Sequence, residues 1–488
     1  MRGGFAALSA LLLATACSTD PGVRAHRADA TTTAPGPQAS AAPDEPSRPA
    51  SGAGDGVGDP LFPALGNPGL DVTHYDLDLA FDPADDTLEG VVGLDVILTG
   101  DRREITLDAI GLQLIEVTVD GAVAEAVAAD PELRITLPAP GLSGDRLRVE
   151  VEYRVVTADR LSAIGMSVGW FNTAGGSFVL NEPDGARTWM PCNDHPSDKA
   201  SYTFTLEVPE GLTAVANGTL LDQRTSNGVD TWVWEEDRQM ATYLIQVLTG
   251  DYEVVQGTGP GGLPLTSAIL REDLEGAQPF LDVTPTMIEY FERRFGPYPL
   301  DSYGIAITDS FGGLAMETQG RSLFSRDDFP DGQLGAQQQL LLAHELAHQW
   351  FGNSVSPARW EDIWLNESFA TYGHWLWMDH AGLADIAGVA AAALRNRPPG
   401  SSAQPGVEDL FGYNSYEGGA AVLHALRLTI GDDDFFELLR RWVADNNGTS
   451  RTTADFVALT EEVVGEPMTL FYDTWLFAGE PPSAFPAP

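Results

Sequence analysis

Two histidines and a glutamate stand at a spacing that suits a metal site. The chain reads His344-Glu345-Leu346-Ala347-His348, inside an apolar run of helical spacing. On a helix, residues i and i+4 share a face, so both imidazoles can bind one ion. Glu345 can then reach a water on that ion and take its proton. The pattern predicts a metal centre in which Glu345 is the general base.

A third candidate ligand follows on the next predicted helix. Glu367 lies nineteen residues after His348, and two antiparallel helices with such a connection can place it opposite both histidines. Two histidines and one glutamate form a known catalytic zinc set that leaves one position for water. The alternative is that Glu367 is a solvated residue of its helix. We favour a single zinc ion held by His344, His348 and Glu367.

The sequence around these ligands resembles a known family. The stretches His348–Asn353 (HQWFGN) and Trp364–Ala370 (WLNESFA) are similar to segments of the aminopeptidase N and leukotriene hydrolase family of zinc peptidases, the gluzincins. The resemblance extends over most of residues 70–480. It implies a zinc-dependent aminopeptidase, which removes N-terminal residues from peptides by attack of a metal-activated water.

The same resemblance implies a substrate-binding strand. Residues 314–318 (LAMET) are similar to the family's Gly-Ala-Met-Glu-Asn segment, so Glu317 would bind the free α-amine of the substrate. Ala315 and Met316 would offer main-chain hydrogen bonds to the peptide. Leu314 replaces a glycine, which should change the shape of the pocket beside it. The alternative for Glu317 is a solvating group at a strand edge.

Two further positions match the family outside these segments. Glu182, in the segment EPDGAR, matches a second anchor for the amine, and Tyr416, in YEGGA, matches the tyrosine that donates to the oxyanion. Gly418 stands in place of the usual lysine. Each has a structural alternative: Glu182 as a surface turn residue, and Tyr416 as a packing residue at the start of its helix.

Two carboxylates at a fixed distance from the metal would make the enzyme an exopeptidase. A free ammonium needs negative charge, which Glu182 and Glu317 can supply through charge-assisted hydrogen bonds. Two alternatives stay open: an endopeptidase with the same zinc chemistry, and a catalytically silent peptide-binding member of the same fold. Cleavage of an N-terminally blocked peptide would favour the first, and bound zinc without turnover the second.

One position near the metal departs from the family. The family usually has an acidic residue seven positions after the third ligand, where it supports a zinc histidine, and this chain has His374 there. Seven residues are about two helical turns, so His374 should face the same way as Glu367. Because such partners tune the basicity of ligands, we expect weaker zinc binding and activity that is reduced but real.

The charge balance limits the class of partner. Of the 488 residues, 27 are Lys or Arg and 71 are Asp or Glu, which gives a formal net charge of −44. Nucleic acids and anionic membrane surfaces need a basic footprint, so neither is an expected ligand. The expected partners are peptides with a free N-terminus.

The start of the chain predicts export. Residues 1–17 contain an arginine, an apolar run shorter than a membrane span, and then Ala-Thr-Ala-Cys. This ending resembles a bacterial lipobox, which implies a lipid on Cys17 and an extracytoplasmic protein anchored to the cell membrane. An ordinary signal peptide cut near Ala16, and hence a secreted protein, is the alternative. Residues 18–59 are rich in small and polar residues and are predicted to be a disordered linker.

The remaining sequence predicts an α+β protein of two domains that must position these residues. From 60 to 255, polar and apolar residues alternate, as in His74–Leu79 and Tyr202–Val208, which predicts an N-terminal antiparallel β domain. Residues 256–488 are predicted to be the catalytic domain, mostly helical and, by the resemblance, thermolysin-like. We expect no C-terminal helical domain of the kind that longer family members have.

Within the predicted catalytic domain the period changes to that of helices. One short strand is expected at 303–308. Helices are expected at 284–295, 337–351, 361–380, 416–430, 434–445, 454–464 and 468–477.

Overall fold

A computed structural model describes residues 56–83, 86–311, 315–329 and 332–486. The predicted signal at 1–17, most of the predicted linker at 18–59, and Leu314 lie outside these described residues. Within the described ranges, none of the helices has the length and apolar character that crossing a bilayer requires.

The N-terminal half of the described chain is built from β-strands. In the first strand, buried side chains recur at every second position from Tyr75 to Phe81, as alternating hydrophobicity predicts. The strands are β1 (Leu70–Asp82), β2 (Thr87–Leu98), β3 (Arg102–Asp108), β4 (Gln113–Val119), β5 (Ala122–Val123), β6 (Ala126–Ala129), β7 (Glu132–Gly141), β8 (Arg146–Val156), β9 (Asp159–Leu161), β10 (Ser167–Asn172), β11 (Gly176–Leu180), β12 (Lys199–Pro209), β13 (Thr213–Ala216), β14 (Thr219–Ser226), β15 (Val229–Ala241) and β16 (Val247–Gly250).

These strands pair in three sheets. The largest has the order β14-β15-β12-β1-β2-β8-β4-β5, a second has β13-β16-β11-β10-β9, and a small one has β3-β7-β6. Their pairing is antiparallel, as predicted, with one exception: β1 and β12 run parallel, and Tyr75 lies opposite Tyr202. Those two rings stack with centroids 5.0 Å apart. Alternation of polar and apolar residues reveals a strand but not its direction, so the sequence could not show this pairing.

The C-terminal half combines helices with a smaller sheet. Its strands are β17 (Tyr252–Thr258), β18 (Pro264–Leu270), β19 (Ile305–Thr308), β20 (Ala315–Met316), β21 (Ser322–Ser325), β22 (Val355–Pro357) and β23 (Thr449–Arg451). Its helices are α1 (Leu274–Phe295), α2 (Ala336–Ala347), α3 (Trp364–His380), α4 (Ile386–Asn396), α5 (Gly419–Ile430), α6 (Asp432–Asn446), α7 (Thr453–Val464) and α8 (Thr469–Trp475).

This order of a β-rich half followed by a helical half confirms the predicted fold class. The five strands of the main C-terminal sheet have the order β17-β18-β19-β21-β20. The domain boundary predicted at 255/256 falls inside β17, which pairs with β18, and the boundary stays a prediction. Asp59, at the end of the predicted linker, is buried. Its carboxylate accepts hydrogen bonds from the Leu61 and Trp360 amides.

The largest departures from the predicted helices are at α1 and α4, while α2 ends at Ala347 instead of 351 and α3 begins at Trp364 instead of 361. α1 begins ten residues before the predicted start at 284, and it contains Pro279 and Pro285, residues that usually mark a break. α4 has no counterpart among the predicted helices. Its start is capped by Asp385, whose carboxylate accepts from the Gly388 amide at 3.0 Å.

Small residues let α2 and α3 pack closely. A Cβ at Gly373 of α3 would lie 2.7 Å from the Cβ of Ala347 of α2, closer than two carbon atoms can approach. The pair shares a core with Trp350, Trp364 and Phe369. This close contact holds the candidate metal ligands of the two helices at short range.

Candidate active site

Three side chains from α2, its C-terminal end and α3 converge on one point. The Nε2 atoms of His344 and His348 lie 3.1 Å apart, and the Glu367 carboxylate lies 3.3 Å from the first and 3.4 Å from the second. Zinc bonds of 2.0–2.1 Å at tetrahedral angles separate ligand atoms by about 3.3 Å. The donor set therefore fits one zinc ion with a fourth position left open.

The ring of His348 is oriented by the main chain. Its Nδ1 lies 3.1 Å from the carbonyl oxygen of Phe351. Because a carbonyl can only accept, Nδ1 must carry the proton of that hydrogen bond. The lone pair of a neutral His348 is then on Nε2, the atom that faces His344 and Glu367.

The ring of His344 contacts another histidine. Its Nδ1 lies 3.2 Å from Nδ1 of His374, so His374 does reach the predicted ligand, two turns along α3 from Glu367. Burial lowers the pKa of His374 well below its usual value, and the adjacent His344 and His348 rings lower it further. His374 is therefore a neutral ring.

The electrostatics of this cluster favour a bound cation. Although burial opposes ionisation, His348 and His344 hold the pKa of Glu367 down at about 2. Burial also opposes the charging of His348, yet Glu317 and Glu367 raise its pKa to about 10. A proton thus occupies the cluster in the absence of a metal, and a metal ion would compete for the same place.

Glu345 is buried beside these ligands. One of its carboxylate oxygens lies within 4.8 Å of both Glu317 and His348 atoms. Burial raises the pKa of Glu345 well above the usual value, and Glu317 and Glu367 raise it further, while His348 opposes them. A raised pKa makes a carboxylate a better acceptor for the proton of a water.

A second group of carboxylates adjoins the first. Oxygens of Glu182, Glu317 and Glu367 lie within 4.8 Å of one another. The Oε1 atoms of Glu182 and Glu317 are buried and have no hydrogen-bond partner. Burial raises the pKa of Glu182 well above its usual value, and Glu317 and then Glu367 add to the effect. Buried acceptors without donors are costly, so this group is suited to a cationic donor from a ligand.

Glu317 is held through its backbone, while its Oε1 makes no hydrogen bond and lies 3.9 Å from Nδ1 of His348. It follows β20, and its carbonyl oxygen accepts from Asn353 Nδ2 at 2.6 Å and Gln349 Nε2 at 3.2 Å. β20 is the last strand in its sheet order, with Ala315 opposite Phe324. A strand in that position can pair with an extended peptide, and the Met316 side chain beneath it is buried.

Tyr416 lies over the metal ligands on a π-helical turn, Asn414–Gly418, that leads into α5. Its ring is nearly parallel to that of His344, with centroids 6.0 Å apart. Burial raises the pKa of Tyr416 well above its usual value, and the surrounding carboxylates raise it further. The hydroxyl therefore keeps its proton and can donate it in a hydrogen bond.

Gly418, which replaces the family's lysine, fits its surroundings. A Cβ there would lie 2.7 Å from Asn414 Oδ1 and 3.3 Å from Arg397 Nε. The space beside this position is thus taken by the Arg397 guanidinium, which donates to the main chain of Trp475 at 3.0 Å.

Sequence reasoning missed the side chains of the β half that brace the site. The Tyr243 hydroxyl donates to the Gly352 carbonyl at 3.0 Å and accepts from Asn366 Nδ2 at 3.1 Å, next to Glu367. Lys199 Nζ donates to the Asn353 carbonyl at 2.7 Å. No spacing in the sequence marks these contacts. The one feature of the sequence that could have drawn attention to Lys199 is that it is the only lysine of the chain.

Comparison with known proteins places this geometry in a family. Residues 72–244 match the peptidase M1 N-terminal domain, and residues 280–475 match the peptidase family M1 domain. A leucyl aminopeptidase from Saccharolobus solfataricus is 25% identical over 83% of this chain and 53% of its own length. A glutamyl aminopeptidase from Sus scrofa is 30% identical over 60% of this chain and 34% of its own length. The chain spans about half the length of the first curated relatives that it matches, 53% and 51%.

Solved structures match over a larger share of both chains. An M1 zinc metallopeptidase from Deinococcus radiodurans is 32% identical, with a TM-score of 0.81 over 89% of this chain and 100% of that one. A mutant form from the same organism, bound to a Tyr-Ser-Ala substrate, is 30% identical with a TM-score of 0.79 over 89% and 100%. With a fold that matches the whole length of these structures, and a ligand set of zinc geometry, the chain belongs to peptidase family M1.

Proposed function

We propose that this protein is a zinc-dependent aminopeptidase that releases N-terminal residues from peptides. One observation carries the proposal: the buried, unpartnered carboxylate oxygens of Glu182 and Glu317 lie beside a tetrahedral set of metal ligands. A peptide's free ammonium would give both oxygens a donor, and its first peptide bond would then lie close to the metal. Internal peptide bonds bring no such cation, which favours exopeptidase over endopeptidase activity.

The metal would be held by His344, His348 and Glu367. A bound zinc ion supplies Lewis-acid polarisation of the scissile carbonyl and makes water more acidic. Each other contribution comes from the chain itself. β20 orients the peptide as an added strand through the main chain of Ala315 and Met316.

Two side chains would act on the proton of the attacking water and on the negative charge that develops on the carbonyl oxygen. Glu345 takes the proton from the attacking water and passes it to the leaving amine. The Tyr416 hydroxyl donates a hydrogen bond to the carbonyl oxygen as negative charge develops on it, a contribution that is typically about 10²–10³ in rate. Glu182 and Glu317 hold the amine, so that attack occurs at the first bond.

The relatives agree with this class of reaction. Those named above are a leucyl and a glutamyl aminopeptidase, and a solved M1 structure holds a Tyr-Ser-Ala substrate. Since the two names differ in the residue that they prefer, neither specificity is carried over to this chain.

One experiment tests the proposal. The zinc-loaded protein and its Glu345→Gln variant are each given one peptide with a free and with an acetylated N-terminus, and products are followed by mass spectrometry. We expect stepwise loss of residues from the free peptide alone, abolished by the substitution. Internal cuts in both peptides would make the protein an endopeptidase. Bound zinc without cleavage of a panel of free peptides would indicate a silent binding protein.

We also propose that the protein is extracytoplasmic and anchored to the cell membrane by a lipid on Cys17. The support is the Ala-Thr-Ala-Cys sequence after the N-terminal apolar run. In a bacterial host, the full chain should partition into detergent and incorporate labelled fatty acid, and Cys17→Ala should do neither. Recovery of the unlabelled wild type from the medium would favour an ordinary signal peptide.

A further inference from the structure

The hydrogen bond between His344 and His374 joins two side chains that can each either donate or accept. Their Nδ1 atoms are 3.2 Å apart, and both rings are largely shielded from solvent. A bond between two imidazole nitrogens needs one proton, so one ring must donate and the other accept. Two arrangements of neutral rings satisfy the contact, and they place the remaining protons on different atoms.

Only one of these arrangements allows His344 to bind a metal. Nε2 of His344 faces His348 and Glu367, and it is a ligand only when it carries no proton. Its Nδ1 must then be the donor, and Nδ1 of His374 the acceptor, which places the proton of His374 on Nε2. The opposite arrangement puts a proton on Nε2 of His344 and blocks the metal.

We propose that His374 is a positioning residue of the zinc site, which accepts the Nδ1 proton of His344 and thereby turns its Nε2 lone pair to the metal. The inference rests on the proposed role of His344 as a ligand. It extends that role to a residue that contacts neither the metal nor the substrate.

His348 shows what a fixed acceptor does. Its Nδ1 bonds to the carbonyl of Phe351, which has no proton to give, so a neutral His348 has one arrangement with or without metal. His344 lacks such a constraint. Nε2 of His344 faces an acceptor, Glu367, at 3.3 Å and Nε2 of His348 at 3.1 Å, so these two neighbours do not fix which nitrogen of His344 carries its proton. The acceptor at Nδ1 of His344 therefore selects the form whose Nε2 can bind zinc.

The acceptor can be changed at one position while the fold is kept. His374→Asn places an amide oxygen near the position of Nδ1, whereas His374→Gln carries its amide one carbon further, away from His344. His374→Phe keeps the ring without any acceptor, and His374→Glu supplies an acceptor that cannot donate when ionised. His424→Phe is the matched control, since His424 is a buried histidine of α5 that contacts Tyr372 instead.

Zinc dissociation constants measured by competition with a chelator are the first readout. We expect binding about 10–100-fold weaker for His374→Phe and His374→Gln, close to wild type for His374→Asn and His424→Phe, and tighter than wild type for His374→Glu. Circular dichroism of the metal-free proteins checks folding. If the Phe variant does not fold, the Asn and Gln pair carries the test.

Nitrogen NMR of histidine-labelled protein gives a direct readout. In the zinc form, we expect His374 to be unprotonated at Nδ1 and protonated at Nε2, with His344 protonated at Nδ1. A protonated Nδ1 on His374 would overturn the proposal, and so would Phe and Gln variants that bind zinc as tightly as wild type.

A parallel His344→Ala variant separates this inference from the proposed function. If it binds zinc like wild type, the ligand set itself is wrong, and with it the zinc mechanism. If it loses zinc while His374→Phe does not, only the role of His374 fails.

Discussion

Two groups of buried carboxylates lie in different parts of this molecule and differ in their hydrogen bonding. In the β half and the segment before it, Asp59, Asp108, Asp194 and Asp198 are buried. In the candidate site, Glu182, Glu317 and Glu345 lie beside the metal ligands. Burial raises the pKa of carboxyls in both groups, to about 7 for Asp108 and well above the usual value for Glu345. The difference lies in their hydrogen-bond partners.

The aspartates have a donor for each oxygen. Asp108 accepts from Gly66 and Asp194 amides and from Asn67 Nδ2, and Asp194 accepts from the Thr242 hydroxyl and an amide. The site carboxylates instead keep unpartnered oxygens at Glu182 and Glu317. Burial is thus common to both groups, and oxygens without a hydrogen-bond donor distinguish Glu182 and Glu317 from these four aspartates.

The largest effect that would test this comparison is expected at the unpartnered pair. Glu182→Gln combined with Glu317→Gln removes the charge that holds the substrate amine. Loss of one partner of a buried charge pair costs about 2–5 kcal/mol, so kcat/KM on a free peptide should fall about 10³-fold. The thermal midpoint should stay or rise, because like charges are removed. A loss under tenfold, or a marked loss of stability, would class these residues with the aspartates.

Tyr416→Phe should give the next largest effect. Its hydroxyl is proposed to act on charge that is present only in the transition state, so kcat should fall about 10²-fold with little change in KM. Steady-state kinetics on one chromogenic substrate measure both constants. A rise in KM at constant kcat would instead make Tyr416 a substrate-packing residue.

The opposite result is expected in the β half. Asp108→Ala leaves the Gly66 and Asp194 amides and the Asn67 side chain without their acceptor, which should lower the free energy of unfolding by about 2 kcal/mol. The kcat/KM of the folded protein should not change. Asp78→Ala, at an exposed position of β1, is the matched control and should alter stability by less than about 0.5 kcal/mol in urea unfolding.

The smallest expected effect is the pH dependence that Lys199, the one lysine of the chain, gives to stability. Burial lowers the pKa of Lys199 to about 7, with Glu236 opposing, while the unfolded chain has a pKa of about 10.4. Between these values the unfolded state binds more protons, so stability rises with pH. The free energy of unfolding of wild type relative to Lys199→Met should increase by about 1.2 kcal/mol from pH 7.5 to pH 8.5. A pH-independent difference would show that Lys199 stays charged in the folded protein.

Features that depend on residues close together in the sequence could be predicted. A helix brings i and i+4 together, and alternation buries one face of a strand, so the pairing of His344 with His348 and the β-rich character of the first half could be expected. Glu367 needed the family resemblance as well as its spacing. The structure brings the three metal ligands and Glu182, Glu317 and Glu345 together, with Tyr416 beside His344 and with Ala315 and Met316 in the strand that leads to Glu317. Their roles stay predictions until the variants above are measured.

What the sequence could not supply depends on contacts between distant residues. The parallel pairing of β1 with β12 joins residues that are 127 positions apart, such as His74 and Ser201. Tyr243 and Gly352 are separated by 109 residues. No periodicity records such contacts, because they follow from the packing of finished elements.

The contacts of Tyr243 and Lys199 with the loop after α2 bear on how this protein can be engineered. A chimaera that exchanges the first domain for a relative's would remove two hydrogen bonds from Gly352 and Asn353, which adjoin the metal-binding helix. The unit that can be transplanted is therefore larger than the helical domain alone. It includes both of these side chains, and a designer who grafts the site onto a new scaffold should copy them along with the ligands.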